Sequence, residues 1–167
     1  MKSGSQHQPY FQAMAELRYQ IRRFLRFSET VARQAGIEPQ QHQLLLAIRG
    51  LPDGVTPTIR TLAERMQLQH HSTVELIDRL VEKGFVFRLR ATDDRRHVLV
   101  KLTHEGEELL ETLSLHHLHE LQTVGPTFVK VLQGLIEQTS SSRNIGDRQR
   151  KPNLKLSNNR RKEIGHG

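Results

Sequence analysis

The sequence contains no cysteine among its 167 residues. This absence excludes disulfide bonds, thiol nucleophiles, thiolate metal sites and redox sensing by cysteine. No apolar run approaches the roughly 18 residues that a membrane-spanning helix requires. The first ten residues also lack the apolar segment of a secretory signal peptide. We therefore expect a soluble, cytoplasmic protein.

Catalytic motifs are absent as well. The sequence shows no glycine-rich phosphate loop, no HExxH metalloprotease motif and no recognisable setting for a Ser–His–Asp triad. We therefore expect neither an enzyme nor a bound cofactor. Two other classes stay open on these grounds, a nucleic-acid-binding protein and a helical module that binds protein partners.

Positive charge is concentrated at the C-terminal end. Residues 143–167 contain eight Lys and Arg residues against two acidic ones, so they carry six of the seven net positive charges. Such a segment favours a polyanionic partner, because binding releases counterions from phosphates. A disordered tail that only aids solubility is the alternative. We assign residues 140–167 to a basic, disordered tail and residues 1–9 to a flexible N-terminus.

The first half of the chain is patterned for four helices, because apolar residues recur every three or four positions. One long helix is predicted over residues 10–35, and a second follows Pro39. A third begins near Thr58, a residue type that caps helix N-termini. The fourth lies within residues 70–84 and ends at its glycine.

After this helix the apolar period changes to two, which predicts strands at residues 85–90 and 97–103. The short charged connection between them makes the pair a hairpin. Thr103 is suited to cap the next helix. We expect residues 124–126, Val-Gly-Pro, to break that helix, and a last apolar helix to end near Gln138.

Two short helices joined by a tight turn and followed by a charged hairpin are typical of a winged helix-turn-helix. The predicted fold class is therefore mainly α with a small β-hairpin wing. The outer helices, at about 10–35 and 104–139, are too long and apolar for the lobe at about 40–103 that they enclose. Packing on each other and on a second copy would bury that surface, so we expect dimerisation helices and a homodimer.

The fourth helix is the predicted recognition helix, because the second helix of a helix-turn-helix enters the major groove with its N-terminal residues at the base edges. Its periodicity turns Thr73, Leu76, Ile77 and Leu80 inward. The residues expected to face DNA are His70, His71, Ser72, Val74, Glu75 and Arg79. The alternative is an ordinary solvated helix face, with Val74 part of the core. At the hairpin tip, Asp94, Arg95 and Arg96 are expected to reach the adjacent minor groove, where a guanidinium suits the negative potential.

The order of these motifs resembles the MarR family of winged-helix transcriptional regulators. The matching stretches are IEPQQHQLLLAI (37–48), TIRTLAERM (58–66), TVELIDRLVEKGFVFR (73–88) and DDRRHVLVKLTHEG (93–106). The resemblance covers residues 10–139, which we treat as one MarR-like winged-helix domain. It implies a homodimer that binds double-stranded promoter DNA, often as a repressor.

The resemblance also implies roles for single residues. His71, Ser72, Val74 and Glu75 stand at positions that meet the major groove in the family. Arg95 matches the minor-groove arginine, and Asp94 with Arg96 matches an ion pair of the wing. Many members carry a basic or small polar residue at the position of Glu75. An acidic residue facing DNA carries an electrostatic cost unless a cytosine amino group or Arg79 pairs with it.

Members of the family are commonly released from DNA by small aromatic or phenolic acids, by oxidation or by metal, and the lack of cysteine excludes thiol oxidation. An effector pocket between the outer helices and the DNA-binding lobe is one option. Its candidate residues are Arg23, Phe24, Phe27, His42 and Leu46. Ordinary core and interface residues are the alternative reading of the same set.

A metal-responsive regulator is the second option. His116, His119 and Glu120 are spaced to share one helix face, and similar regulators that sense zinc use histidines and carboxylates of this helix. A closed zinc site needs four ligands, and the sequence shows only this local set. Exposed histidines that titrate near pH 6.5 are the plainer alternative.

Overall fold

The computed structural model describes residues 8–90 and 98–148, with side chains for residues 10–90 and 98–137. The elements in chain order are α1 (Gln8–Gln34), α2 (Pro39–Arg49), α3 (Ile59–Met66), α4 (His70–Glu82), β1 (Val86–Arg90), β2 (Val98–Leu102) and α5 (His104–Arg148). The described residues form a mainly helical fold with one antiparallel hairpin, as the sequence predicts. Within the described residues, no helix has the length and hydropathy needed to cross a bilayer.

The predicted helix ends are confirmed by local hydrogen bonds. The Thr58 hydroxyl accepts a hydrogen bond from the Thr61 amide at 3.1 Å and so caps α3. The Thr103 hydroxyl does the same for the Gly106 amide at 3.0 Å at the start of α5. At the end of α4, Gly84 has φ of +77°, a left-handed conformation that glycine adopts at low cost.

The C-terminal helix corrects two sequence-based expectations. The predicted break at residues 124–126 is wrong, because α5 continues through Pro126 as far as Arg148. Proline removes one backbone hydrogen bond, but α5 packs along α1, and Val124 and Leu135 are buried on either side of the proline. This burial favours a continuous helix. Residues 140–148 are accordingly helical, where the sequence predicts the beginning of a disordered tail.

The hairpin is tied to the segment before α3. Its register pairs Val86 with Leu102 and Arg90 with Val98. The Val100 amide donates to the Pro57 carbonyl at 2.9 Å, so the strand that follows the hairpin tip is held against the helix-turn-helix. Residues 91–97, which include the predicted wing contacts, lie outside the described part of the chain.

The core lies where α2, α3, α4, the hairpin and the first turns of α5 meet. Its fully buried members share large aliphatic side chains, and they include Ile37, Leu44, Leu45, Leu62, Ile77, Leu80, Val86, Val100 and Leu113. Because each element contributes to this one cluster, the orientation of α4 relative to the hairpin is fixed by burial of apolar surface. That orientation sets the geometry of the candidate site.

Candidate nucleic-acid interface and ligand cavity

Helices α3 and α4 are joined by a turn of three residues, Gln67 to Gln69. Gln67 ends α3 in the left-handed conformation, with φ of 54°. The Leu68 amide then donates to the Ala63 carbonyl at 3.0 Å, which closes the helix end and redirects the chain. This tight connection produces the helix-turn-helix that the sequence predicts.

The buried face of α4 agrees with the predicted inward set. Thr73, Leu76, Ile77 and Leu80 are all buried, with exposed fractions of 6% or less. Thr73 is polar, but its hydroxyl donates to the Gln69 carbonyl at 3.1 Å. The buried hydroxyl therefore keeps a hydrogen bond, and all four residues form part of the buried core.

The opposite face of α4 remains open to solvent. His70, His71, Glu75 and Arg79 are exposed, and Ser72 and Val74 are partly exposed. The preceding residue, Gln69, makes no side-chain capping bond, and the first turn of α4 holds no acidic residue. The backbone amides of this turn are therefore not capped by a side chain, and a helix N-terminus with free amides attracts anions.

Glu75 has the partner that an acidic residue on this face requires. Its carboxylate lies 4.0 Å from the Arg79 guanidinium, one helical turn further along α4. Both side chains are about two-thirds exposed, at 66% and 65%, so the pair contributes little to stability. Its effect is local, because the arginine offsets the negative charge that Glu75 places on the outer face.

Arg88 contacts the candidate recognition helix α4, which the sequence did not indicate. From β1, its guanidinium donates to the Asp78 carboxylate at 2.5 Å, and a second nitrogen lies 3.5 Å from the Val74 carbonyl. These contacts join the base of the hairpin to the middle of α4. No local sequence pattern predicts a contact between a strand residue and a helix residue. The sequence showed Arg88 within a predicted strand, but it did not show that its partner is Asp78.

The predicted wing residues cannot be placed in the same way. Asp94, Arg95 and Arg96 belong to residues 91–97, outside the described part of the chain. The two strands that lead to them end at Arg90 and begin again at Val98, on the β1–β2 register. The minor-groove role of Arg95 stays a prediction.

A cavity of about 370 Å³ lies between α1, α2 and α5. Its walls are formed by Phe24, Leu25 and Ser28 of α1, by His42, Gln43 and Leu46 of α2, and by Ser114, His117, Leu118 and Leu121 of α5. The volume falls within the range of about 300–1,000 Å³ that is usual for small-molecule sites.

The structure brings together three of the five residues predicted for an effector pocket. Phe24, His42 and Leu46 line the cavity. Phe27 does not line the cavity, but the centroid of its ring lies 5.6 Å from that of His117, which does. Arg23 does not line this cavity and belongs to a separate groove on the surface of α1. His117 and Ser28 are lining residues that the sequence did not select for the pocket.

Two histidine rings meet in the cavity wall, with centroids 4.9 Å apart. Both ring nitrogens of His117 are hydrogen-bonded. Nδ1 lies 2.6 Å from the Leu113 carbonyl, and Nε2 lies 2.8 Å from the Ser28 hydroxyl. His42 is 2% exposed, and its Nδ1 atom has no hydrogen-bond partner. Burial, and to a smaller extent the neighbouring His117, lower the pKa of His42 from 6.5 to about 4.

The candidate metal ligands do not converge. His116 and His119 are exposed on α5, and Glu120 is partly exposed. Among the side chains that the structure describes, no group of three or more histidines and carboxylates is arranged to hold a metal ion. Nothing in this part of the chain supports metal-responsive regulation.

The elements of the candidate site also match known proteins. Residues 35–97, which hold α2, the helix-turn-helix and the hairpin, match the model of the MarR family. This part of the chain is similar to the MarR family. A curated relative, the HTH-type transcriptional regulator FarR of Neisseria gonorrhoeae, is 35% identical over 83 residues, which are 50% of this chain and 55% of FarR. The HTH-type transcriptional repressor YetL of Bacillus subtilis is 29% identical over 63% of this chain and 67% of YetL.

Solved MarR-family structures have the same fold. The MarR-family regulator SP03579 superposes with a TM-score of 0.65 over 86% of this chain and 95% of its own, at 17% identity. A mutant of MepR from S. aureus bound to an oligodeoxyribonucleotide gives 0.55, over 75% and 93%, at 19% identity. CouR from Rhodococcus jostii bound to p-coumaroyl-CoA gives 0.54, over 71% and 80%, at 24% identity. The chain spans about half the length of the first curated relatives that it matches.

Proposed function

We propose that this chain is a transcriptional regulator of the MarR family, and that it binds double-stranded promoter DNA as a homodimer and acts as a repressor. The observation that carries the proposal is the two-sided character of α4. One face is buried in the core, and the other presents His70, His71 and Ser72 at an uncapped helix N-terminus. The matched relatives come from bacteria, in which chromosomal DNA lies in the cytoplasm, so the proposal includes a cytoplasmic location.

The outer face of α4 suits the major groove by its chemistry. The uncapped amides and the two histidines can donate to phosphates or to guanine acceptors, and Ser72 can bond several base edges. Val74 is partly exposed and can contact a thymine methyl group. The Glu75 carboxylate can accept from a cytosine amino group. The DNA-bound MepR structure, whose fold is the same, supports this use of the helix-turn-helix.

Homodimerisation is supported by apolar surface on the two outer helices. Helix α1 exposes Tyr10, Phe11, Ile21 and Leu25, and α5 exposes Leu115, Leu118, Leu121, Val129 and Leu132. Exposed apolar surface of this extent marks an association face, because water disfavours it. A second copy packed on this face would bury it and would place two recognition helices against one duplex.

Release by a small effector is supported by the position of the cavity. Leu25, Leu118 and Leu121 line it and also belong to the exposed apolar face. A bound molecule would thus contact residues of the proposed dimer interface. The structure of CouR with p-coumaroyl-CoA supports a small aromatic effector.

The test is fluorescence anisotropy with DNA from upstream of the chain's own gene and with a scrambled duplex, from low to physiological salt. We expect tighter binding to the native fragment that persists at physiological salt. His71→Ala should weaken this binding, whereas His116→Ala, the same change at an exposed position on α5, should not. Arg95→Ala should weaken it by about 1–3 kcal/mol, the scale of one good base contact.

The possible results separate the parts of the proposal. Equal binding to both duplexes that disappears with salt would contradict sequence-specific recognition. Equal effects of His71→Ala and His116→Ala would remove α4 from the interface. A monomer in light scattering at the concentrations used would contradict the dimer.

A further inference from the structure

Thr103 lies where α4, β2 and α5 meet, and its hydroxyl makes two hydrogen bonds there. It donates to the carbonyl of Gly84, the glycine that follows the end of α4, at 2.7 Å. It accepts from the Gly106 amide, in the first turn of α5, at 3.0 Å. These directions are fixed, because a carbonyl can only accept and an amide N–H can only donate. One oxygen atom therefore joins the end of α4 to the beginning of α5.

The backbone around this hydroxyl is packed without side chains in between. The Thr103 amide donates to the Phe85 carbonyl at 3.1 Å. Gly106 is buried against the same carbonyl, and a Cβ atom there would lie 2.1 Å from its oxygen. The first turn of α5 thus rests directly on the chain that leaves α4. A change of direction at this contact cannot be taken up by rotation of a side chain.

Other contacts also bring α5 to the DNA-binding lobe, but they constrain its direction less. Leu110 and Leu113 of α5 belong to the shared core, and burial of apolar surface is not directional. The ion pair of Arg49 with Glu107 joins α2 to the first turn of α5, but its side chains are 66% and 49% exposed, so it contributes little. Hydrogen bonds do have preferred angles. The bonds of the Thr103 hydroxyl therefore form a directional link between α4 and α5.

We propose that the Thr103 hydroxyl holds α4 at a fixed angle to α5, and that this angle determines which half-site spacing the protein accepts on DNA. The inference rests on the proposed function, because half-site spacing has a meaning only for a dimer on a duplex. Helix α5 contributes Leu118 and Leu121 to the proposed dimer face, and α4 presents the proposed base contacts. The two recognition helices of a dimer are therefore connected through two copies of this junction. Thr103 is a positioning residue, since it acts through α4.

The length of α4 amplifies a small change at Thr103. The 13 residues of α4 span about 20 Å, at about 1.5 Å per residue. The bond to Gly84 lies at the C-terminal end, whereas His70 and Ser72, which are proposed to face the bases, lie at the N-terminal end. A rotation of about 10° at the junction would move the N-terminal end by about 3.4 Å, which is the rise of one base pair. Loss of the link should therefore relax the accepted spacing by about one base pair.

Three substitutions separate the link to α4 from the capping of α5. Thr103→Ser keeps a hydroxyl and both bonds. Thr103→Asp keeps the cap, because Asp is among the best N-cap residues, but an ionised carboxylate cannot donate to the Gly84 carbonyl. Thr103→Val keeps the shape of threonine and loses both bonds. Thr112→Val is the matched control, because the Thr112 hydroxyl donates to the Glu108 carbonyl at 3.0 Å, a bond within α5.

The angle can be measured within one chain by double electron–electron resonance. The chain has no cysteine, so His70→Cys and Glu111→Cys place one spin label on α4 and one on α5, both at exposed positions. Labelled chains are diluted with unlabelled ones, so that distances across a dimer do not contribute. We expect one narrow distance distribution when Thr103 is unchanged, and the same in Thr103→Ser and Thr112→Val. Thr103→Asp and Thr103→Val should broaden the distribution.

Thermal melts of the same variants distinguish positioning from stability. If Thr103 only stabilised the start of α5, broadening would follow a loss of Tm, and Thr103→Asp would give a distribution as narrow as Thr103→Ser. The proposed link predicts a broad distribution in Thr103→Asp, although its Tm falls less than that of Thr103→Val because the cap is kept.

Half-site spacing is measured by fluorescence anisotropy on the operator, which is first located by footprinting on the upstream fragment. The second duplex is the same operator with one additional base pair at its centre, and the quantity compared is the ratio of the two Kd values. The charge that Thr103→Asp adds is the same for both duplexes and cancels in this ratio. We expect a ratio about fivefold smaller in Thr103→Asp than in Thr103→Ser, which corresponds to the loss of one ordinary hydrogen bond.

Two results would overturn the inference. One is a distance distribution in Thr103→Asp as narrow as that in Thr103→Ser. The other is an equal ratio of Kd values in these two variants when both bind the operator. A broadened distribution in Thr103→Asp, together with no binding of the unmodified chain to the upstream DNA, would contradict the proposed function and leave the positioning of α4 by Thr103 intact.

Discussion

Gly106 provides a sharp test of how the hairpin and α5 are held together. A Cβ atom at this position would lie 2.1 Å from the carbonyl oxygen of Phe85, far inside van der Waals contact. The obstacle is backbone, so it cannot rotate away as a side chain could. The same carbonyl accepts a hydrogen bond from the Thr103 amide at 3.1 Å, and the Gly106 amide donates to the Thr103 hydroxyl at 3.0 Å.

Gly106→Ala must therefore move the start of α5 away from the hairpin. Overpacking of this kind typically costs about 1–3 kcal/mol. Each of the two hydrogen bonds that the shift weakens is worth about 1 kcal/mol. Alanine recovers about 1 kcal/mol through its better helix propensity. We expect the free energy of unfolding to fall by roughly 2–4 kcal/mol, the net of these terms.

Gly134→Ala is the matched control, because it is the same change in the same helix. A Cβ atom at position 134 would meet no described atom within 4 Å. This variant should gain about 0.5–1 kcal/mol from helix propensity alone. Both free energies come from urea denaturation followed by circular dichroism, at one protein concentration, since association with a second copy would add to stability. A Gly106→Ala protein as stable as the unmodified chain would refute the packing argument.

The remaining predictions concern the interface, the tail and the buried histidine. Arg88→Ala should weaken promoter binding by about 1 kcal/mol, roughly fivefold, because α4 loses its tie to the hairpin. Arg33→Ala, which breaks an ion pair within α1, is the control, and an equal loss would contradict this role. Deleting residues 149–167, which hold six Lys and Arg residues, should flatten the salt dependence of DNA binding. An unchanged slope would mean that the tail does not contact phosphates. Because the pKa of His42 is lowered to about 4, its neutral form contributes stability above pH 6.5 that is lost as the pH falls towards 4. Thermal melts should show this loss, up to about 3 kcal/mol, and a smaller one in His42→Asn.

Local patterns in the sequence were sufficient for much of the fold. The period of α4 identified all four of its buried residues, Thr73 among them, because a helix with one buried face repeats every 3.6 residues. Thr58 and Thr103 were identified as caps because hydroxyl side chains satisfy the first amides of a helix. The change of period after Gly84 identified the hairpin.

Where the local pattern failed, a distant contact decided the structure. Residues 124–126 look like a helix break when taken alone, but packing along α1 keeps α5 continuous. Gly106 looks like an ordinary first-turn residue until the backbone of Phe85 is beside it. Arg88 and Asp78 are ten positions apart on different kinds of element, so neither periodicity nor helical spacing could pair them.

The residues that line the cavity also divide into those that the sequence predicted and those that only the structure revealed. Phe24, His42 and Leu46 could be proposed from apolar and polar patterning on two helices. The bond from Ser28 to His117 joins residues 89 positions apart, and it became visible only when α1 and α5 were placed together. Helix α5 connects this cavity to the proposed DNA-binding lobe, because Gly106, against the hairpin, and His117, in the cavity, are about 16 Å apart along one helix at 1.5 Å per residue. A ligand that displaced His117 would therefore displace α5, whose first turn packs against the hairpin at Phe85. This contact is how the proposed effector would change the position of the hairpin.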